Sequence, residues 1–114
     1  MPVTVVDWQS FGYGPPAADV GYFIAGAVGA DVRRRHGDAL LALYLDELER
    51  QGAGPYDADA LKRHYVAGAY QHFLTAFFAA MVVTQTPRGD DMFFKMLDGA
   101  VDLVTDLGAD SWFD

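Results

Sequence analysis

Glycine and proline divide this chain of 114 residues into stretches of helical length. The main interruptions fall at residues 12–16, 52–55 and 87–89. Proline lacks a backbone donor and glycine loses the most conformational freedom on folding, so neither suits the interior of a helix. The long stretches between these breaks therefore predict a mainly helical chain with short connections.

Apolar residues recur within these stretches at three- and four-residue spacing, which is typical of amphipathic helices. We expect about four helices, over Ala17 to Val28, Asp31 to Gln51, Asp57 or Asp59 through Ala80, and Asp90 to Leu107. The expected fourth helix buries Phe93, Met96, Leu97, Ala100, Val101 and Val104. Hydrophobic residues make up 52% of the chain, enough for one modest core, so we expect residues 1–114 to form a single domain.

The N-terminal stretch differs from the rest of the chain. Val3, Val5 and Val6 favour an extended backbone, and the glycines and prolines that follow exclude a helix. We therefore expect one short N-terminal β-strand with Asp7 at its carboxyl end. The predicted fold class is mainly α, with this strand followed by about four helices.

Asp7 is the first candidate for chemistry. Mg²⁺ prefers carboxylate oxygens and takes only one or two of them from protein, while phosphates and waters complete its shell. One aspartate at the end of a strand is chemically enough to bind a nucleotide-bound ion. The alternative is an ordinary structural acid, because a strand, an acid and a turn follow one another in many proteins.

The run Val-Val-Asp-Trp-Gln-Ser-Phe-Gly-Tyr-Gly-Pro-Pro-Ala-Ala-Asp-Val-Gly-Tyr-Phe-Ile, residues 5–24, resembles the aminoglycoside phosphotransferase and choline kinase-like superfamily, and most nearly its ecdysteroid-kinase-like branch. In that family the acid matched by Asp7 binds Mg²⁺ on the ATP phosphates. The acid matched by Asp19 opens a helix and supports the backbone of the catalytic loop by hydrogen bonds. The resemblance thus implies Mg²⁺ and ATP as cofactors, Asp7 as the metal- and cofactor-binding residue and Asp19 as a structural support.

Members of this family carry further motifs before the metal strand: a glycine-rich nucleotide loop, a lysine on a strand, and a His-Gly-Asp catalytic loop with an asparagine five residues after the aspartate. The sequence has His36-Gly37-Asp38, but it follows Asp7, and position five beyond Asp38 is Leu43. Its neighbours also have helical spacing, so we expect a helix there. The resemblance covers only the C-terminal part of the larger lobe of a protein-kinase-like fold.

Charge and composition exclude several classes of partner. Eight basic and sixteen acidic residues give a net charge of -8, which disfavours nucleic acid and anionic membranes. No cysteine is present, so a disulfide framework is excluded. The stretch from Phe73 to Val83 is about half the length that spans a bilayer. The opening residues lack a secretion signal, and we expect a cytoplasmic location.

Other residues with chemical potential favour structural roles. His64 and His72 are two helical turns apart, too far for one zinc ion, although a histidine on this helix could contact an acceptor. The helical spacing of the aromatic residues Phe73, Phe77 and Phe78 favours core packing, with a binding site for an apolar acceptor as the alternative. The run Arg33 to Arg35 favours a solvated first helical turn, with the alternative that one arginine reaches an acid across a helix interface.

Two functions remain. The first is the C-terminal portion of an ATP-dependent small-molecule phosphotransferase, which transfers the γ-phosphoryl group to a hydroxyl acceptor and is inactive alone because the nucleotide loop and catalytic base are missing. The alternative is a non-catalytic helical interaction or scaffold module derived from that family. In this second case an unpaired N-terminal strand either pairs with a second copy, which gives a homodimer, or remains frayed.

Overall fold

The computed structural model describes residues 2–109, and four helices account for most of them. The helices are α1 (Pro16–Ala27), α2 (Ala30–Arg50), α3 (Ala58–Val82) and α4 (Pro87–Asp106). The prediction of a mainly helical chain with four helices is confirmed. None of these helices is long and apolar enough to cross a membrane.

The predicted N-terminal strand is wrong. Residues 2–109 contain no β-strand, and the valines before Asp7 lie in backbone without regular secondary structure. Val3, Val5 and Val6 are all exposed. A strand needs a neighbour for its backbone hydrogen bonds, and β-branched residues alone do not supply one. We call residues 2–14 the opening segment.

Two side-chain caps set the starts of α3 and α4. Asp57 accepts a hydrogen bond of 2.7 Å from the backbone N–H of Ala60, as one of the two predicted caps. Thr86 accepts one of 3.0 Å from the N–H of Gly89. Pro87 then occupies the first turn of α4, where its missing N–H has no cost. Residues 87–89 therefore begin this helix, three residues earlier than the sequence predicts.

Helix α1 packs very closely against both α3 and α4. A Cβ atom added at Gly21 would overlap the backbone carbonyl of Tyr65 in α3. One added at Gly68 would overlap the carbonyl of Ala18, and one at Gly99 of α4 would overlap the carbonyl of Ala25. Glycine is required at these positions because backbone meets backbone there. The three helices form one tightly packed unit.

The buried core lies where these helices meet, and it is built largely from small residues. Its members are Ile24, Ala25, Tyr65, Val66, Ala69, Ala100, Leu103, Val104 and Ala109. Phe77 and Phe78 are exposed, which contradicts the prediction that they pack in the core; Val101 is exposed as well. Helix α1 has only 12 residues against the 25 of α3, so it covers only part of its partner.

Candidate functional site

Asp7 occupies an unusual backbone conformation. Its φ of 70° and ψ of 49° are left-handed, and among residues 2–109 it is the only residue other than glycine with a positive φ. Aspartate tolerates this region better than most residues, but the conformation still costs energy and tends to occur at functional sites. The side chain is exposed and makes no hydrogen bond to the residues that the structure describes. Its carboxylate is therefore available to a ligand.

Two local hydrogen bonds hold the chain around Asp7. The indole N–H of Trp8 donates to the carbonyl of Val5 at 3.1 Å, and the backbone N–H of Phe11 donates to the carbonyl of Trp8 at 3.1 Å. The latter closes a single 3-10 turn over Trp8–Ser10. The rings of Trp8 and Phe11 also meet, with centroids 5.7 Å apart. The contacts on either side of Asp7 thus lie within the opening segment.

Asp19 lies in the first turn of α1, after the proline pair, and is exposed. Its negative charge suits the positive end of the helix dipole. Burial raises the pKa of the Tyr44 hydroxyl on α2, and the neighbouring Tyr56 and Asp19 raise it further. Asp19 therefore lies near α2. No hydrogen bond joins Asp19 to Asp7.

The residues around Asp7 fit only one kind of metal binding. Nowhere between residues 2 and 109 do three or more histidine, aspartate or glutamate side chains gather into a metal site. An ion held mainly by protein is therefore not expected there. Mg²⁺ bound to nucleotide phosphates needs only one or two protein carboxylates, and the free carboxylate of Asp7 meets that requirement.

A second polar cluster joins α2 to the end of α4. Asp106 Oδ2 lies 2.7 Å from Arg33 Nη2, and its two oxygens accept hydrogen bonds of 2.8 and 3.2 Å from Arg34. The Arg34 hydrogen bond, together with Arg33, holds the pKa of the Asp106 carboxyl below its usual range. Arg33 is only 7% exposed, so the favoured interpretation of a solvated arginine run is wrong for this residue.

Sequence reasoning could have found part of this cluster. Gly37 and Leu41 follow Arg33 at intervals of four and eight residues, which places all three on one face of α2. Leu41 packs against the core. The same periodicity therefore directs Arg33 inward. Nothing in the local sequence, however, identifies Asp106, 72 residues away from Arg34, as the shared acid.

A cleft of about 180 Å³ opens beside this cluster, between α2, α3 and the end of α4. It is lined by Arg33, Arg34, Gly37, Asp38, Leu41, Tyr65, Asp106 and Leu107. Burial raises the pKa of the Tyr65 hydroxyl to about 12, so this group remains a neutral donor at physiological pH. The triplet resembling a catalytic His-Gly-Asp lies within α2, as predicted.

His72 is buried between α1 and α3. Its ring packs edge-on against Tyr22 at 4.6 Å between centroids, and it lies directly against Gly26. Neither ring nitrogen has a hydrogen-bond partner among the described residues. Burial lowers the pKa of His72, which favours the neutral ring. The interpretation of His72 as a structural residue agrees with this position.

Comparisons with known proteins bear on the first half of the chain. A search of curated proteins and a search of solved structures both found no match. The model of the ecdysteroid kinase-like family matches residues 2–53. That range contains Asp7, Asp19, α1 and α2, and is somewhat less than half of the 114 residues. Residues 2–53 are therefore similar to a kinase-like family of phosphotransferases, the one that the sequence around Asp7 resembles.

Proposed function

We propose that this chain is the C-terminal portion of an ATP-dependent small-molecule phosphotransferase. The observation that carries the proposal is Asp7, an exposed carboxylate in a left-handed conformation within the range that matches the kinase-like family. A residue in this conformation is retained only where surrounding contacts impose it, and such residues concentrate at ligand sites. Asp7 is the proposed ligand of Mg²⁺ that accompanies ATP.

The proposed reaction transfers the γ-phosphoryl group of ATP to a hydroxyl of a small acceptor. A bond forms between the acceptor oxygen and the γ-phosphorus, the bond from that phosphorus to the bridging oxygen breaks, ADP leaves, and a base receives the hydroxyl proton. When bound, Mg²⁺ would neutralise charge on the phosphates. Asp19 is the proposed support for the catalytic loop.

The base and the nucleotide loop have no counterpart in the 114 residues. Phosphoryl transfer depends on positioned phosphates and an oriented nucleophile, which one metal-binding carboxylate does not provide. We therefore propose that these residues alone bind Mg²⁺-ATP weakly and transfer nothing. A reaction that consumes ATP also favours the cytoplasm as its location.

The test is calorimetric titration of the chain with ATP, with and without Mg²⁺. Asp7→Asn removes the charge but keeps a residue that tolerates positive φ. Asp98→Asn is the control, because Asp98 is also exposed but lies in the middle of α4. We expect metal-dependent binding that weakens at least tenfold in Asp7→Asn and is unchanged in Asp98→Asn. Equal binding by both variants, or none by the parent chain at millimolar ATP, would contradict the proposal.

A specific observation also favours the alternative, a non-catalytic interaction or scaffold module. The opening segment exposes several large apolar side chains: Val3, Val5, Val6, Trp8, Phe11 and Tyr13. Apolar residues gathered on an exposed segment often mark an interaction surface. Sedimentation equilibrium separates this function from the first, because a homodimer that persists in a chain lacking Mg²⁺-ATP binding would favour the module. The strand through which such pairing was predicted is not present among residues 2–109.

A further inference from the structure

Helix α3 presents a continuous apolar surface to solvent. Four of its large side chains are between 47% and 59% exposed: Leu74, Phe77, Phe78 and Met81. Because residues three and four apart are neighbours on a helix, these four lie on one side of α3. We call them the outer face of α3. None of them lines the cleft beside Arg33, and none belongs to the opening segment.

The outer face lies on the opposite side of α3 from α1. A Cβ atom at Gly68 would overlap the backbone of α1, and the ring of His72 packs against Tyr22, so these two residues of α3 mark the side that contacts α1. Phe77 follows Gly68 by nine residues, and Met81 follows His72 by nine. Nine residues are about two and a half helical turns, which puts the later residue half a turn away around the helix. Helix α1 therefore cannot cover the outer face.

The exposed area of this face is enough for a small specific interface. A phenylalanine side chain buries roughly 150–250 Å² when it is fully covered, and leucine, methionine and valine bury somewhat less. Val82 follows Phe78 by four residues and is 82% exposed, so it extends the face at the carboxyl end of α3. Together the five side chains expose roughly 500 Å² on each copy, or about 1,000 Å² for two copies that cover each other. That total is the lower limit for a specific protein–protein interface, about 1,000 Å².

Charge favours a partner that is also uncharged at its contact surface. The chain has a net charge of -8, so two copies repel over most of their surface. Between Arg63 and Arg88, however, no residue is aspartate, glutamate, lysine or arginine. Two outer faces could therefore meet without burying an unpaired charge, which is the usual obstacle to a dry interface.

The spacing of the outer face is also symmetric. An axis between Phe77 and Phe78, perpendicular to α3, has one phenylalanine immediately on each side and Leu74 and Met81 three residues further out. Rotation by half a turn about such an axis brings Leu74 of one copy opposite Met81 of the other and brings the phenylalanines together. The Phe77 and Phe78 rings already meet edge-on, at 5.7 Å between centroids, so pairing would make a cluster of four rings.

We therefore propose that two copies of this chain pair through the outer face of α3, with the two α3 helices antiparallel. The symmetry favours a second copy over another apolar partner, because a face that a two-fold axis maps onto itself is complementary to its own copy. The pairing uses neither Asp7 nor the valines of the opening segment, so it is independent of the Mg²⁺-ATP binding proposed for Asp7 and differs from pairing through a strand. An interface of this small size gives a weak dimer, with a Kd on the order of 10 μM.

Sedimentation equilibrium over a range of chain concentrations tests the pairing. Phe78→Glu places a charge at the centre of the proposed interface in both copies, and we expect the Kd to rise roughly tenfold or more. Phe23→Glu is the matched control, because Phe23 is 64% exposed but belongs to α1. This control should leave the Kd essentially unchanged. Circular dichroism checks that both variants keep the helical content of the parent chain.

Cross-linking tests the antiparallel arrangement, and the absence of native cysteine makes it specific. Chains carrying Leu74→Cys and chains carrying Met81→Cys are mixed under mild oxidation. We expect disulfides between the two variants, since the proposed axis brings these positions within the reach of a disulfide. Either variant alone should cross-link several-fold more slowly, because its two cysteines would lie about 10 Å apart along the helix axis.

Any of three results would overturn the proposal: a parent chain that stays monomeric at millimolar concentration, a Phe78→Glu variant that associates as strongly as the Phe23→Glu control, or equal cross-linking in the mixed and single samples. The dimer should also tighten as sodium chloride is added, because salt screens the repulsion between two chains of net charge -8. A dimer that salt dissociates would point to a charged interface elsewhere and equally contradict the proposal.

Discussion

The unit formed by α1, α3 and α4 is tightly packed, whereas the opening segment is largely exposed to solvent. In the helical unit, Gly21 and Gly68 allow backbone to meet backbone, and the core between the helices is fully buried. In the opening segment, large side chains face solvent, with Val3 87% and Phe11 70% exposed. Yet Asp7, the residue with the most unusual backbone conformation, lies in the exposed segment.

Stability and candidate chemistry thus belong to different parts of this chain. Tertiary packing fixes the helices, whereas only a few local hydrogen bonds lie beside Asp7. Helix α2 is intermediate, because polar contacts to Asp106 join its first turns to α4. Mutations should therefore have effects on stability that fall steeply from the helical unit to the opening segment.

The largest effect is expected where α1 crosses α3. Gly68→Ala places a methyl group against the backbone of Ala18, and we expect the free energy of unfolding to fall by about 3 kcal/mol. Gly37→Ala is the matched control, because its new Cβ makes only an ordinary contact with Arg33, at 3.7 Å. It should raise stability by about 0.5–1 kcal/mol through helix propensity. Urea unfolding followed by circular dichroism measures the free energy of unfolding of both variants. Similar stabilities for Gly68→Ala and Gly37→Ala would show that α1 and α3 are not closely packed at their crossing.

The next largest effect tests how strongly the polar contacts to Asp106 hold α2. Asp106→Asn removes the shared carboxylate and leaves the buried Arg33 charge without a partner. We expect a loss of about 2 kcal/mol, less than for a fully buried pair because Asp106 is partly exposed. Asp102→Asn should cost less than about 0.5 kcal/mol, since Asp102 meets only Arg34, at 3.9 Å and half exposed. Thermal unfolding of both variants decides whether this cluster holds α2 in place.

A smaller, pH-dependent effect is expected inside the helical unit at His72. Burial lowers the pKa of His72 in the folded chain, whereas the unfolded chain binds the proton at an ordinary pKa of about 6.5. Stability from the neutral ring is therefore complete above about pH 6.5 and decreases as the pH falls toward the folded pKa, by at most about 1.4 kcal/mol per unit.

His72→Leu should remove this component of the pH dependence. The packing cost of the substitution would appear at every pH. The diagnostic quantity is therefore how the difference in unfolding free energy between variant and parent chain changes from pH 7.5 to pH 5.5. Urea unfolding across this range measures it. A difference that stays constant would mean that His72 takes up a proton in the folded chain as readily as in the unfolded chain.

The smallest effect is expected in the opening segment. Trp8→Ala removes one local hydrogen bond and a ring contact, both exposed, and should change the free energy of unfolding by less than about 0.5 kcal/mol. Amides of this segment should exchange hydrogen faster than those of α3, because exposed local hydrogen bonds open easily. A loss above about 1.5 kcal/mol would show that the segment packs and would break the contrast between the two regions.

Sequence reasoning succeeded where one local rule decides the structure. The spacing of apolar residues predicted four helices, and Asp57 was one of two caps named for α3. It failed where the answer depends on a distant partner. The valines of the opening segment have the propensity of a strand but no neighbour to pair with, and Pro87 was interpreted as a break although it begins a helix.

The candidate sites show the same limit. Asp7 was found from its place in a recognisable segment, but its left-handed backbone has no signature in the residues around it. The role of Arg33 depends on Asp106, and the cleft needs α2, α3 and α4 together. Such features arise from tertiary contacts between positions far apart in the chain, so local periodicity does not reveal them.

The glycines where α1 crosses α3 and α4 also limit which positions of this chain can accept a new side chain. Gly21, Gly68 and Gly99 leave no room for a side chain, so no substitution at these positions could adapt the helical unit to a new ligand. Exposed positions of α1 such as Phe23 are free of this steric restriction. New recognition properties would therefore have to arise on the outer surface or in α2.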